Sequence, residues 1–91
     1  MNINSYRKEI DIIDKEIVKL FEQRLDIVEK ILEYKVEKNL DVKDEDREII
    51  VLENAVKNSK SEYKSYCKDL MKYIMDLSKK YQFLKKGLND D

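Results

Sequence analysis

Two cations on one face of a long helical pattern are the first residues here whose types and spacing suit chemistry. Arg24 takes the heptad position otherwise held by Ile10, Ile17 and Ile31, so a charge stands where an apolar side chain belongs. Lys35 follows eleven residues later, which at 100° per residue returns it to within about 20° of Arg24 and about 16 Å along the axis. A pair so placed could close on an anion from both ends. Arg7 precedes Arg24 by seventeen residues, some 25 Å up the same straight helix and on another face. It reaches a small ligand held by Arg24 only from a second chain whose helix runs antiparallel. Asp44, Arg47 and Glu48 then stand at i, i+3 and i+4, on one face of one turn. Ser78 and Gln82 are also i and i+4, flanking the apolar residues Leu77 and Tyr81. Singly, each has an ordinary explanation: a register-setting or snorkelling arginine, an N-cap with a local ion pair, a polar surface pair.

The elements that must position these residues are all helical. Ile10, Ile17 and Ile31 share one heptad position and Ile13, Leu20, Ile27 and Tyr34 another, which predicts a helix of roughly Asn4 to Lys38 capped by Ser5 or Asn4. Its length, about 50 Å, exceeds the diameter of a globule of this size, so the stripe predicts packing on another molecule. Asn39 to Lys43 loses the periodicity and reads as a connection. Asp44 suits an N-cap, with Glu45 and Asp46 in the first turn of a second helix over about 45–57 that buries Ile49, Leu52 and Val56. Ser59 followed by Glu62 reads as a capping box for a third helix over about 61–86, ended by Gly87. Its apolar residues recur at Tyr63, Tyr66, Leu70, Tyr73 or Ile74, Leu77, Tyr81 and Leu84. Tyrosines at that spacing read as core rather than as a platform for stacking bases. Lys79, Lys80, Lys85 and Lys86 read as the solvated face of that helix. The fold class expected is all-α, one domain over residues 1–91 with one long, one short and one medium helix.

Composition narrows the chemistry. The chain has 91 residues, 43% of them charged and 42% hydrophobic, with one Gly and no Pro, as long amphipathic helices require. Nineteen basic residues nearly cancel twenty acidic ones, so no basic excess points to nucleic acid. A lone Cys67 and no His leave no thiol cluster or imidazole for a metal site, and no metal or cofactor is expected. The first residues, Met1 to Glu9, lack an apolar signal region, and no stretch approaches the ~20 apolar residues of a membrane span, so no membrane association and a cytoplasmic location are expected.

Taken in order, Arg7 with Ile13-Asp14, Arg24, Lys35, the run Val42-Lys43-Asp44-Glu45-Asp46-Arg47-Glu48, and Ser78-Lys79-Lys80-Tyr81-Gln82 resemble the all-α chorismate mutases, over about residues 5 to 84. The most specific element is D-x-D-R-E at Asp44 to Glu48, followed by S-x-x-x-Q in the last helix. The resemblance implies an intertwined homodimer with two sites built from both chains, and rearrangement of chorismate to prephenate in aromatic amino-acid biosynthesis. That step is pericyclic and needs no nucleophile, proton shuttle, metal or redox cofactor, which suits a chain without histidine. It implies that Arg24 and Arg47, with Arg7 from the other protomer, pair with the two substrate carboxylates. Lys35 and Gln82 would donate to the ether oxygen, Glu48 helped by Asp44 would accept from the ring hydroxyl, and Ser78 would bond near a carboxylate. Family members often carry small residues near Leu32 and Tyr34, and often Pro where this chain has Asp41.

Two other readings compete. An isochorismate pyruvate lyase shares the fold and the cationic pocket. A helical dimerisation module without activity would explain the heptads alone, but leaves Arg24 in the seam as coincidence. A regulatory partner enzyme is left unidentified by the sequence.

Overall fold

The computed structural model describes residues 2–90, with side chains described through Gly87. Among them are three α-helices, α1 (Ile3–Glu37), α2 (Glu45–Asn58) and α3 (Lys64–Asp90), with a 3-10 turn at Ser61–Tyr63 and no strand. The fold class is therefore all-α, with the long, short, medium order anticipated. Met1 and Asp91, the ends of the expected domain, lie outside the described residues. No helix among them is long and apolar enough to cross a membrane.

Local chemistry sets where each helix begins and ends, and it corrects three expectations. α1 starts earlier than Ser5 or Asn4 would allow: Asn2 is the cap, its side chain accepting from the Ser5 amide at 3.1 Å. The Ser59–Glu62 capping box does not form. Ser59 instead ends α2, its hydroxyl donating back to the Val56 carbonyl at 3.1 Å, and Lys60 precedes the 3-10 turn without a side-chain cap. Gly87 does not stop α3, which continues to Asp90. A single glycine costs a helix only about 1 kcal/mol, too little to end one whose backbone is not required to turn.

α1 closes in a tight reversal. Asn39 takes φ 54°, the left-handed region that Asn tolerates better than most residues. The Leu40 amide then bonds the Lys35 carbonyl at 2.8 Å and the Asn39 amide the Val36 carbonyl at 3.3 Å, satisfying two of the orphan carbonyls in the last turn of the helix. Asp44 caps α2 by accepting from the Arg47 amide at 3.0 Å.

α3 packs against both α2 and α1, which make no backbone approach to each other. The core is thin: Val28 and Leu32 of α1, Met75 of α3 and Val42 of the intervening loop are its buried apolar residues. They are spaced at i and i+4 on α1, one face of the helix, and that face is not the heptad stripe. Ile10, Ile13, Ile17, Leu20, Ile27, Ile31 and Tyr34 all remain exposed, as do Tyr63, Tyr66 and Tyr73 of the turn and α3, and Ile49 of α2. The expectation of core is thus not met within one chain by Ile49, Tyr63, Tyr66 and Tyr73, whereas Leu52, Val56 and Tyr81 are half-buried. The molecule measures 55 × 27 × 14 Å, with a radius of gyration of 16.4 Å against about 12 Å for a compact chain of this length.

Candidate active site

A cleft of about 520 Å³ opens where α1 and α2 diverge above α3. α1 supplies Arg24, Val28, Ile31 and Lys35, recurring at three, four and seven residues and so facing one way. The α1–α2 loop supplies Val42, and α2 begins with Asp44, Arg47 and Glu48. The floor is α3, through Met75, Ser78, Lys79 and Gln82. Of the residues singled out from the sequence, only Arg7 is absent; it sits exposed in the first third of α1.

Each polar group is held by a specific partner. Arg24 donates from Nη1 to Ser78 Oγ at 2.8 Å, and Ser78 Oγ in turn donates a hydrogen bond to the Ile74 carbonyl, also at 2.8 Å. Ser78 is 4% exposed, so this relay is a buried tether that fixes the guanidinium. Lys35 donates from Nζ to the Val42 carbonyl at 2.7 Å, which draws the loop over the end of the cleft and leaves two ammonium hydrogens unused by that bond. Gln82, 7% exposed, donates from Nε2 to the Ser78 carbonyl at 3.3 Å, while its Oε1 is buried with no partner among the described residues.

Electrostatically, cations outnumber anions in the cleft lining. Arg24, Lys35, Arg47 and Lys79 line it with two carboxylates, Asp44 and Glu48, and one oxygen of Asp44 already accepts from the α2 backbone. Burial, and after it the neighbouring Arg47 charge, lower the Arg24 pKa below the ordinary arginine value. A guanidinium stays protonated regardless, so the lowered value measures how poorly its charge is compensated. A carboxylate between Arg24 and Arg47 would offset both the repulsion and the desolvation cost by its attraction for the two guanidinium groups.

Sequence reasoning missed Lys79. It lies in the cleft rather than on the solvated face, donating from Nζ to Glu48 Oε1 at 2.9 Å, with Asp76 at 3.5 Å. The hydrogen bond to Glu48 is the leading cause of a raised Lys79 pKa. Its position, four residues after Met75 and three before Gln82, was the available signal, hidden within a lysine-rich tail. Lys85 keeps to the solvated face, its side chain 42% exposed, while pairing with Glu29 of α1 at 3.3 Å and lying 5.6 Å from the Tyr81 ring centroid. Leu32, 3% exposed, packs in the core, and Tyr34 lies outside the cleft, so within one chain neither larger side chain narrows it.

The sequence model of the family described as chorismate mutase type II matches residues 6–83. No curated protein and no solved structure matches the chain.

Proposed function

The chain belongs to the chorismate mutase type II family, and from that premise we propose that it rearranges chorismate to prephenate in the α1–α2–α3 cleft. The substrate is a dianion carrying two carboxylates, a ring hydroxyl and an ether oxygen. In one concerted step its ether C–O bond breaks, a C–C bond forms, and no proton or electron enters or leaves. Catalysis is therefore a matter of holding the folded conformer and stabilising the charge that grows on the ether oxygen.

Arg24 and Arg47 receive the carboxylates, joined by Arg7 of the partner subunit in an intertwined homodimer. Ser78 contributes by anchoring Arg24. Lys35, with hydrogens beyond the one on Val42, and Gln82 donate to the ether oxygen, where a bond that strengthens in the transition state raises kcat. Glu48 accepts from the ring hydroxyl, with Asp44 beside it. The reading extends to a cytoplasmic enzyme of phenylalanine and tyrosine biosynthesis.

The observation that carries it is the meeting of Lys35, Gln82, Arg24 and Arg47, from three helices, in one cation-rich cleft. The test is loss of chorismate on the purified protein, with the product identified and Lys35→Ala beside it. Prephenate is expected, with kcat lower in Lys35→Ala by at least about 10²-fold. Salicylate and pyruvate from isochorismate would make it the lyase; no turnover of either by a folded dimer would favour the dimerisation module.

A further inference from the structure

We propose that Lys79 is a positioning residue that clamps Glu48: it occupies Oε1, aims Oε2 at the substrate's ring hydroxyl and neutralises the carboxylate beside a dianion. The proposal rests on the mutase reading above. Its starting point is chemical awkwardness. A carboxylate that accepts from the hydroxyl of a dianionic substrate is a like charge close to two others, in a cleft where water is partly excluded. Left free, Glu48 would also turn toward the nearest guanidinium and compete with the substrate for it.

The contacts on the page answer both difficulties. Glu48 lies on the first turn of α2 and Lys79 on α3, so their 2.9 Å bond joins one wall of the cleft to its floor and does not depend on one helix's geometry. The pair is shielded, with side chains 24% and 25% exposed. Asp76, one turn earlier on α3, holds the same ammonium at 3.5 Å and limits its swing. From α1 the groups facing this pair are Arg24 and Lys35; from α2 they are Asp44 and Arg47; from α3, Gln82. Both arginines and Lys35 are assigned to the substrate itself. Lys79 is the cation left to serve Glu48, which keeps Arg47 available for a carboxylate.

A double-mutant cycle separates this role from direct substrate binding or mere structure. Lys79→Met keeps the aliphatic stem and removes the charge; it is expected to lower kcat/KM for chorismate about tenfold, and Lys79→Arg to restore most of it. In a Glu48→Gln background, Lys79→Met should change kcat/KM less than about twofold, since nothing remains to clamp. An equal loss in both backgrounds would overturn the proposal. A second measurement does not need activity: the Lys79 side-chain amine is titrated by NMR in the wild type and in Glu48→Gln. Its raised pKa should fall in Glu48→Gln, and identical titrations would overturn the clamp whatever the enzyme does. Absence of wild-type turnover with a shifted amine would instead sink the mutase reading and leave the Lys79–Glu48 contact standing.

Discussion

Arg24 must stay charged while half-buried and close to a second guanidinium. In the substrate-free chain that arrangement costs stability, and because an arginine is protonated in both folded and unfolded states across the ordinary pH range, the cost does not vary there. Arg24→Leu is therefore expected to leave the melting temperature unchanged or raise it by a few degrees, while chorismate turnover falls by at least about 10²-fold. A dimerisation module would tolerate the change in every assay. Gln82 makes a similar trade: its buried, unpartnered Oε1 costs about 1–3 kcal/mol. Gln82→Leu should thus be no less stable than wild type by thermal melting, and far less active. Because an amide has no proton to lose in this range, wild-type activity should not collapse between about pH 5 and 8. A tenfold fall per pH unit would show that Gln82 is not the donor. The residues that line the cleft were legible as an ordered set, since Arg24, Lys35, Asp44, Arg47, Glu48, Ser78 and Gln82 each have an ordinary explanation alone and only their order and spacing resemble a family. Lys79 was illegible because a lysine among lysines looks solvated, and only the approach of α2 turns it inward.

At the scale of elements, the reversal after α1 couples fold to site. Asn39 in the left-handed region sends the chain back so that the Val42 carbonyl meets Lys35 Nζ. A β-branched residue there pays about 1–2 kcal/mol for the same backbone. Asn39→Val should lower stability by roughly that amount and reduce activity through a misplaced Lys35, whereas Asn39→Gly should retain both; thermal melting and the chorismate assay together check it. Helix existence was readable from periodicity, and the break at Asn39 from its composition. Helix ends were less so, since Ser59 can bond backward to Val56 as easily as forward, and Gly87 weakens a helix without stopping it. The stripe misled in one respect. α1 has two apolar faces, and α3 takes the shorter one, through Val28 and Leu32, leaving the heptad face uncovered.

For the whole molecule, that uncovered face, running from Ile10 to Tyr34, is far longer than a monomer of this size usually exposes. Light scattering is expected to give twice the chain mass, and Ile13→Asp with Ile17→Asp to shift it toward the monomer with loss of turnover. The placement of Arg7 allows a sharper check. Arg7→Ala and Lys35→Ala should each be inactive as homodimers, yet mixing them should restore about a quarter of wild-type activity, because half the dimers are mixed and each has one intact site. No recovery on mixing would mean that Arg7 does not serve the opposite cleft.

Leu20 and everything before it in α1 lie exposed. About five turns of unsupported helix are marginal in water. Amide hydrogens over Ile3–Leu20 should therefore be protected from solvent exchange only to the extent that two chains are joined, and lose that protection on dilution while α2 and α3 keep theirs. The longest element of the fold would then be written half by its own chain and half by mass action.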